Sequence, residues 1–302
     1  MSEAFESEAV VPHSTAEAEV CWDGLPPAPL TLEGAAVLHQ VVRLRRDAWR
    51  AAGSVVRRRA AEQAAEWLAR AEASGDGQSA VYALLGAKGD LLWVHYRPDF
   101  TALHRAQCEL AGLPLFDYLE AVWSFLSVVE LGLYESTVKL WRDLAARGVR
   151  PHSPEWQAEV ERLKSRQRQA MLPRLFPRIP DSRWICFYPM NRRRGERKNF
   201  YRTPLPARRD MMREHGETGR RFADRVRQVI SGSIGLDDWE WGVDLFADDP
   251  LAFKQLVYEM RFDEASADYA DFGPFYLGMR CRPADLASWV EGFAPAARGE
   301  GG

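Results

Sequence analysis

Hydrophobic positions along this chain switch between a period of two and a period near 3.6, and the order of the switches predicts its elements. Residues 35–44 form a β-rich run through Val37, Val41 and Val42. Asp47 is placed to cap a long helix over 48–73, with Trp49, Val56, Ala60, Ala64, Trp67 and Leu68 near one face. Arg57, Arg58, Arg59, Glu62 and Glu66 fall largely off that face and read as solvated, and Gly75 and Gly77 end the helix. Residues 80–85 and 91–96 read as a hairpin joined through Ala-Lys-Gly-Asp. A helix over 100–111, stopped by Gly112, and a long strand over 116–131 follow. The order β-α-β-β-α-β is that of a ferredoxin-like unit.

A polar helical connector covers 135–180, broken at Gly148–Pro151, restarted by the Ser153-Pro154 cap and closed by Pro173, Pro177 and Pro180. A second unit then repeats the order. It has a strand over 184–190, a long helix over 204–230, a hairpin of 231–234 with 239–246 around Gly235–Asp238, a helix after Asp249-Pro250 running to Met260, and a strand over 275–279. The expected fold class is α+β: two ferredoxin-like units, 31–134 and 181–292, forming a dimeric α+β barrel within one chain. Joining the two sheets hides edges that an open sheet leaves unpaired. Residues 1–30 read as a flexible acidic arm and 293–302 as a flexible tail.

Composition narrows the classes. With 46% hydrophobic and 27% charged residues the chain is globular, and a net charge of −3 argues against general nucleic-acid binding. No apolar run is long enough for a membrane span. The first 24 residues hold six acids and no Lys or Arg, unlike a secretory signal, so a cytoplasmic location is expected. Cys21, Cys108, Cys186 and Cys281 show no metal-ligand spacing and read as buried free thiols.

Candidate chemistry gathers between Tyr188 and Gln228, within a stretch that runs from Trp184 to Met260. On the expected helix 204–230, Met211, His215, Gly219, Phe222, Val226 and Val229 share one face. Spacing alone makes His215 a core histidine satisfied by a hydrogen bond. Gly216 and Gly219 beside it each cost a helix about 1 kcal/mol relative to Ala, which suggests close approach of something bulky. An imidazole on an apolar helix face is also the usual proximal ligand of haem iron. Tyr188, near a strand end, reads either as a packing residue or as a redox-active phenol. Arg192, Arg193, Arg194, Arg197, Lys198 and Arg202, opposed only by Glu196, form a loop suited to a polyanion, or simply a solvated loop.

Five motifs then bring a resemblance. Tyr-Pro-Met at 188–190, Glu-His-Gly-x-x-Gly-Arg at 214–220, Gly-Ser-x-Gly-x-Asp-Asp-x-Glu-Trp-Gly-Val at 232–243, Leu-Phe-Ala-Asp-Asp at 245–249 and Val-Tyr-Glu-Met-Arg-Phe-Asp-Glu at 257–264 resemble the chlorite dismutase superfamily, and within it the coproheme decarboxylase branch. The resemblance implies an enzyme that takes iron-coproporphyrin III and hydrogen peroxide and converts two propionates to vinyl groups through a tyrosyl radical, giving haem b. It implies His215 as iron ligand, Tyr188 as catalytic tyrosine, Gln228 as the distal-side polar residue, and Arg174, Arg192, Arg220 and Met190 around the substrate. Arg192 stands where one large branch has lysine, and no histidine lies just upstream of Tyr188. A homopentamer, and transient contact with the ferrochelatase that supplies coproheme, are implied in the same way. The nearest rival is a chlorite dismutase, whose members carry arginine where this chain has Gln228; a non-catalytic haem-binding protein is the other. Asp237, Asp238 and Glu240 are the nearby candidates for the hydrogen-bond partner of His215.

Overall fold

A computed structural model describes Trp22, residues 24–75 and residues 77–293. The chain runs through β1 (Thr31–Leu44), α1 (Arg46–Ala51), α2 (Ser54–Ala73), β2 (Gln78–Leu84), β3 (Leu91–Arg97), α3 (Phe100–Ala111) and β4 (Leu119–Gly132). The connector holds α4 (Tyr134–Ala146) and α5 (Pro154–Leu175). Then come β5 (Trp184–Arg192), α6 (Leu205–Arg220), β6 (Arg227–Gly232), β7 (Trp241–Ala247), α7 (Leu251–Met260), α8 (Glu264–Ala267), β8 (Ala270–Phe272), β9 (Tyr276–Cys281) and α9 (Leu286–Phe293). No described helix is long and apolar enough to cross a membrane.

The strands pair in the order β7-β6-β4-β1-β3-β2-β9-β5-β8, and β7 pairs again with β5. β8 is outside that closure, so the other strands form a closed ring. Each unit contributes the ferredoxin-like order, β4-β1-β3-β2 and β9-β5-β7-β6, and the units join where β2 meets β9 and β6 meets β4. Closure removes the free edges, as the expected barrel required. Side chains alternate across the sheet. Val37, Val94, Tyr96, Phe125, Ile185, Phe187, Val229 and Phe246 fill the barrel, while Cys186, Tyr188, Met190, Val243 and Leu245 face the second unit's helices.

One polar group is built into the interior. The Asp244 carboxylate accepts from Tyr96 Oη at 2.6 Å and lies 2.8 Å from His39 Nε2, and all three residues are buried. His39 stacks on Phe187 at 3.9 Å. Replacing Asp244 with alanine strands two buried polar groups, so Asp244→Ala is expected to cost about 3–5 kcal/mol. A urea unfolding midpoint measures it, and a wild-type midpoint would mean the network contributes nothing.

Several sequence expectations need correction. The helix over 48–73 is two helices, because Gly53 adopts an extended conformation (φ −60°, ψ 149°) between α1 and α2. Asp47 lies exposed inside α1 and caps nothing, and Val56 is 51% exposed instead of facing the core. A 3-10 turn over Pro114–Tyr118 delays the strand expected from 116 until Leu119. The largest change concerns 204–230: α6 ends at Arg220, turns follow, and 227–232 is strand β6. Barrel closure needs that strand, and Val229 and Ile230 favour it through their branched side chains. The segment before β1 is also less free than expected. Trp22, Leu25 and Leu30 pack against Trp141 and Trp156, and Trp141 Nε1 donates to the Pro26 carbonyl at 3.1 Å. Residues 1–21, 23 and 294–302, with most of the expected arm and tail and Cys21, lie outside the described residues. Cys186 and Cys281 are buried free thiols, whereas Cys108 is exposed.

Candidate functional site

The outward face of β5, β6 and β7, together with α6, encloses a cavity of about 730 Å³. Tyr188 and Met190 reach it from β5, and Gln228 and Ile230 from β6. Trp241 and Val243 reach it from β7, and His215, Gly216, Gly219 and Arg220 from α6. Met171 and Arg174 of α5, Tyr134 of α4 and Glu130 of β4 complete the wall. The corresponding space in the first unit is filled, because Trp49, Trp67 and Trp93 pack between its helices and its strands. The second unit instead keeps room for a ligand of ordinary cofactor size.

All seven residues proposed from the sequence, Tyr188, Met190, Arg192, Arg174, His215, Arg220 and Gln228, line this one cavity. Gln228 reaches it from a strand, not from the helix of His215, and its amide packs against α6. A Cβ added to Gly219 would lie 3.4 Å from Gln228 Nε2 and 3.1 Å from Met260 Cε. The missing side chain at Gly219 therefore preserves space between helix and sheet.

His215 is anchored by a residue the sequence reading did not single out. Its Nδ1 lies 2.9 Å from Asp263 Oδ2, and the Asp263 side chain is 3% exposed. Asp263 also caps α8 by accepting from Ser266 N at 2.8 Å. Asp237 instead accepts from Leu126 N, Asp238 is exposed, and Glu240 holds Arg192 N and Tyr201 Oη, so the expected partners lie elsewhere. Burial works to raise the Asp263 pKa, but the hydrogen bonds from His215 and Ser266 outweigh it and leave the carboxyl below its ordinary 3.8. A depressed carboxylate stabilises the fold above that value, and its contribution disappears as pH falls below 3.8 through the folded value. A neutral imidazole that donates from Nδ1 to this carboxylate keeps its lone pair on Nε2, which has no partner among the described residues.

Tyr188 is 5% exposed and packs on Phe275 at 4.6 Å and Phe272 at 5.7 Å between ring centroids. Burial, with a smaller contribution from Cys186, pushes its pKa well above the ordinary phenol range, so it stays protonated at neutral pH. Arg192 is buried as well. Its Nη1 donates to the Ala265 carbonyl at 3.0 Å, its Nη2 to Met212 Sδ at 3.3 Å, and Phe200 lies 4.7 Å beneath the guanidinium. No carboxylate among the described residues pairs with it. Burial lowers its pKa from the usual value, and nearby Tyr134, Tyr201 and Asp263 oppose that.

The neighbouring cations Arg193, Arg194 and Lys198 of the 192–202 loop do not point into the cavity. Arg193 pairs with Asp271, Arg194 with Glu240 and Lys198 with Asp268. The basic rim comes from other elements: Arg174, Arg209, Arg213, Arg220 and Arg227. Cross-strand pairing with Glu33 was invisible to a reading of local patterns, yet it perturbs Glu130. Burial first, and the Glu33 charge second, raise the Glu130 pKa to about 7. A raised carboxyl is harmless below its unfolded pKa of 4.5 and lowers stability as pH rises from 4.5 to about 7. Glu130→Gln is therefore expected to raise the melting temperature at pH 8 and leave it unchanged at pH 4, as scanning calorimetry at the two pH values would record.

The residues fit an iron porphyrin. The imidazole is fixed at Nδ1, glycines replace side chains on the helix beside it, the walls are apolar at Met190, Ile230, Val243, Val257, Met260 and Phe272, and cations stand around them.

Residues 57–281 match the sequence profile of the family described as Chlorite dismutase. A protein of Thermus thermophilus named coproheme decarboxylase is 42% identical over 260 residues, covering 82% of this chain and 90% of that protein. Another of that name from Staphylococcus saprophyticus is 39% identical over 257 residues, covering 84% and 94%. A Haloquadratum walsbyi protein whose name describes it as heme-binding is 40% identical over 269 residues; the match takes in 88% of this chain but 48% of that protein, so the chain spans about half its length. Among solved structures, a heme-binding protein from Thermus thermophilus matches with a TM-score of 0.73 at 40% identity, covering 88% of this chain and 98% of that one. A chlorite dismutase variant from Candidatus Nitrospira defluvii matches with a TM-score of 0.63 at 16% identity, covering 87% and 96%, a likeness of fold alone.

Proposed function

The chain belongs to the chlorite dismutase family, and from that premise we propose that it is a coproheme decarboxylase. It takes iron-coproporphyrin III as substrate, converts two of its four propionates to vinyl groups with hydrogen peroxide, and releases haem b. One observation carries this reading: an anchored imidazole, a buried phenol and a buried cation without a carboxylate partner among the described residues converge on one apolar cavity. The names of the Thermus and Staphylococcus relatives support it.

Each side chain then has a task. His215 holds the iron through Nε2, and Asp263 fixes its tautomer and makes it a stronger donor. Arg192 and the rim residues Arg174 and Arg220 hold substrate carboxylates, which explains a basic pocket on a mildly acidic protein. Met190 packs against the apolar body of the macrocycle, and Gln228 offers an uncharged amide. Iron and peroxide supply the oxidising equivalents. Each propionate that becomes a vinyl group loses carbon dioxide, two electrons and a proton. Tyr188, a protonated phenol at neutral pH, can give up proton and electron together, and as a radical it takes hydrogen from the propionate β-carbon.

Incubating purified protein with iron-coproporphyrin III and peroxide, and following the porphyrin by mass spectrometry, tests the reading. Stepwise loss of two carboxyl groups is expected. An unchanged porphyrin, with oxygen released from chlorite, would instead assign the protein to the chlorite-splitting branch.

A further inference from the structure

The thioether of Met212 stands where the buried cation of the cavity meets the ligand space. Arg192 is 9% exposed, and the polar contacts of its guanidinium are the Ala265 carbonyl and Met212 Sδ. Sulfur in a thioether is a weak acceptor, so the bond it makes to the cation at 3.3 Å is the poorer of the two. Met212 lies on α6 one turn before His215, lines the same cavity and is partly exposed, whereas Met190 and Met260 of the lining are 9% and 7% exposed. Met171, the fourth methionine of the lining, has no cation hydrogen-bonded to its sulfur among the described residues.

We propose that Met212 is a modification site: hydrogen peroxide oxidises it to the sulfoxide, which captures Arg192 and weakens the hold of the cavity on carboxylates. The proposal rests on the reading of this cavity as a peroxide-using porphyrin site. Sulfur attacks one peroxide oxygen; an S–O bond forms, the O–O bond breaks, and sulfur gives up two electrons. The departing hydroxide takes the proton still carried by the oxygen now bound to sulfur and leaves as water, which gives the sulfoxide. A guanidinium N–H beside the sulfur stabilises that hydroxide as it forms, and among the described residues no guanidinium is hydrogen-bonded to the sulfur of Met171, Met190 or Met260. The sulfoxide oxygen is a strong acceptor, so a charge-assisted bond replaces a weak one and an Arg192 donor is withdrawn from the substrate. Sulfoxide reductases reverse the change, which makes it a reversible brake under excess peroxide.

The test treats the full chain, free of porphyrin, with stepwise amounts of peroxide. Peptide masses then locate each added oxygen, and absorbance titration measures affinity for iron-coproporphyrin III. Met212 is expected to gain oxygen ahead of Met171, Met190 and Met260, with affinity falling about tenfold. A methionine sulfoxide reductase restores it, and Met212→Leu, treated identically, keeps its affinity. Met212 left unmodified while the others oxidise, or its sulfoxide binding as tightly as the thioether, overturns the proposal. Failure of the untreated protein to bind iron-coproporphyrin III overturns the functional reading instead, and peptide masses, which need no porphyrin, tell the two apart.

Discussion

The His215→Ala protein is expected to fold and to lose the ferric spectrum of a histidine-ligated porphyrin. The imidazole lies on the cavity wall with its side chain 26% exposed, so its removal opens no core void. Asp263 keeps its bonds from Ser266 at the start of α8, and the cost to stability is about 1–2 kcal/mol. Changes to the groups that merely orient a metal-binding histidine cost about 10–100-fold in affinity, and loss of the ligand itself should cost at least about a hundredfold. Absorbance of the ferric complex reads the effect, and added imidazole should bring the spectrum back. An unaltered spectrum in the variant would remove His215 from the metal.

Tyr188→Phe should separate binding from chemistry. Phenylalanine keeps the stacking on Phe272 and Phe275, and the hydroxyl it lacks has no protein partner among the described residues, so fold and substrate affinity should change by less than about twofold. Decarboxylation should drop by at least about two orders of magnitude, because the variant has no phenol at that place and the other tyrosine of the lining, Tyr134, comes from α4. Single-turnover product analysis decides. Near-normal vinyl formation would reduce Tyr188 to a packing residue, the plainer of the two readings that its place on a strand allowed.

The two residues show how unevenly the site could be read from local pattern. Tyr188 and Met190 sit on a strand expected over 184–190 and found over Trp184–Arg192, and the alternation of side chains along a strand puts the two on one face. His215 was placed correctly on a helix, but that helix was drawn ten residues too long, to Ile230 instead of Arg220. The apparent helical face through Val226 and Val229 arose because short apolar runs fit either period. Pairing of 227–232 with both β4 and β7 resolved the ambiguity, and it brought Gln228 in from the sheet side. The arginine loop misled for a related reason. Charge density along the chain cannot reveal that Asp268, Asp271 and Glu240 neutralise Lys198, Arg193 and Arg194 while Arg192 turns inward.

Element type and the repeated β-α-β-β-α-β order were legible because they depend on neighbours two to four residues apart. The motifs around Tyr188 and His215 marked the chemistry without geometry. Four things depended on contacts distant in sequence: closure of the sheet, the carboxylate behind His215, the pairing of Glu33 with Glu130, and the open cavity in one unit where tryptophans fill the other. Asp263 is 48 residues from His215, and Glu130 is 102 from Gly232, whose strand it packs against. No periodicity links such pairs, because each is set by where the barrel closes and not by the chain between them.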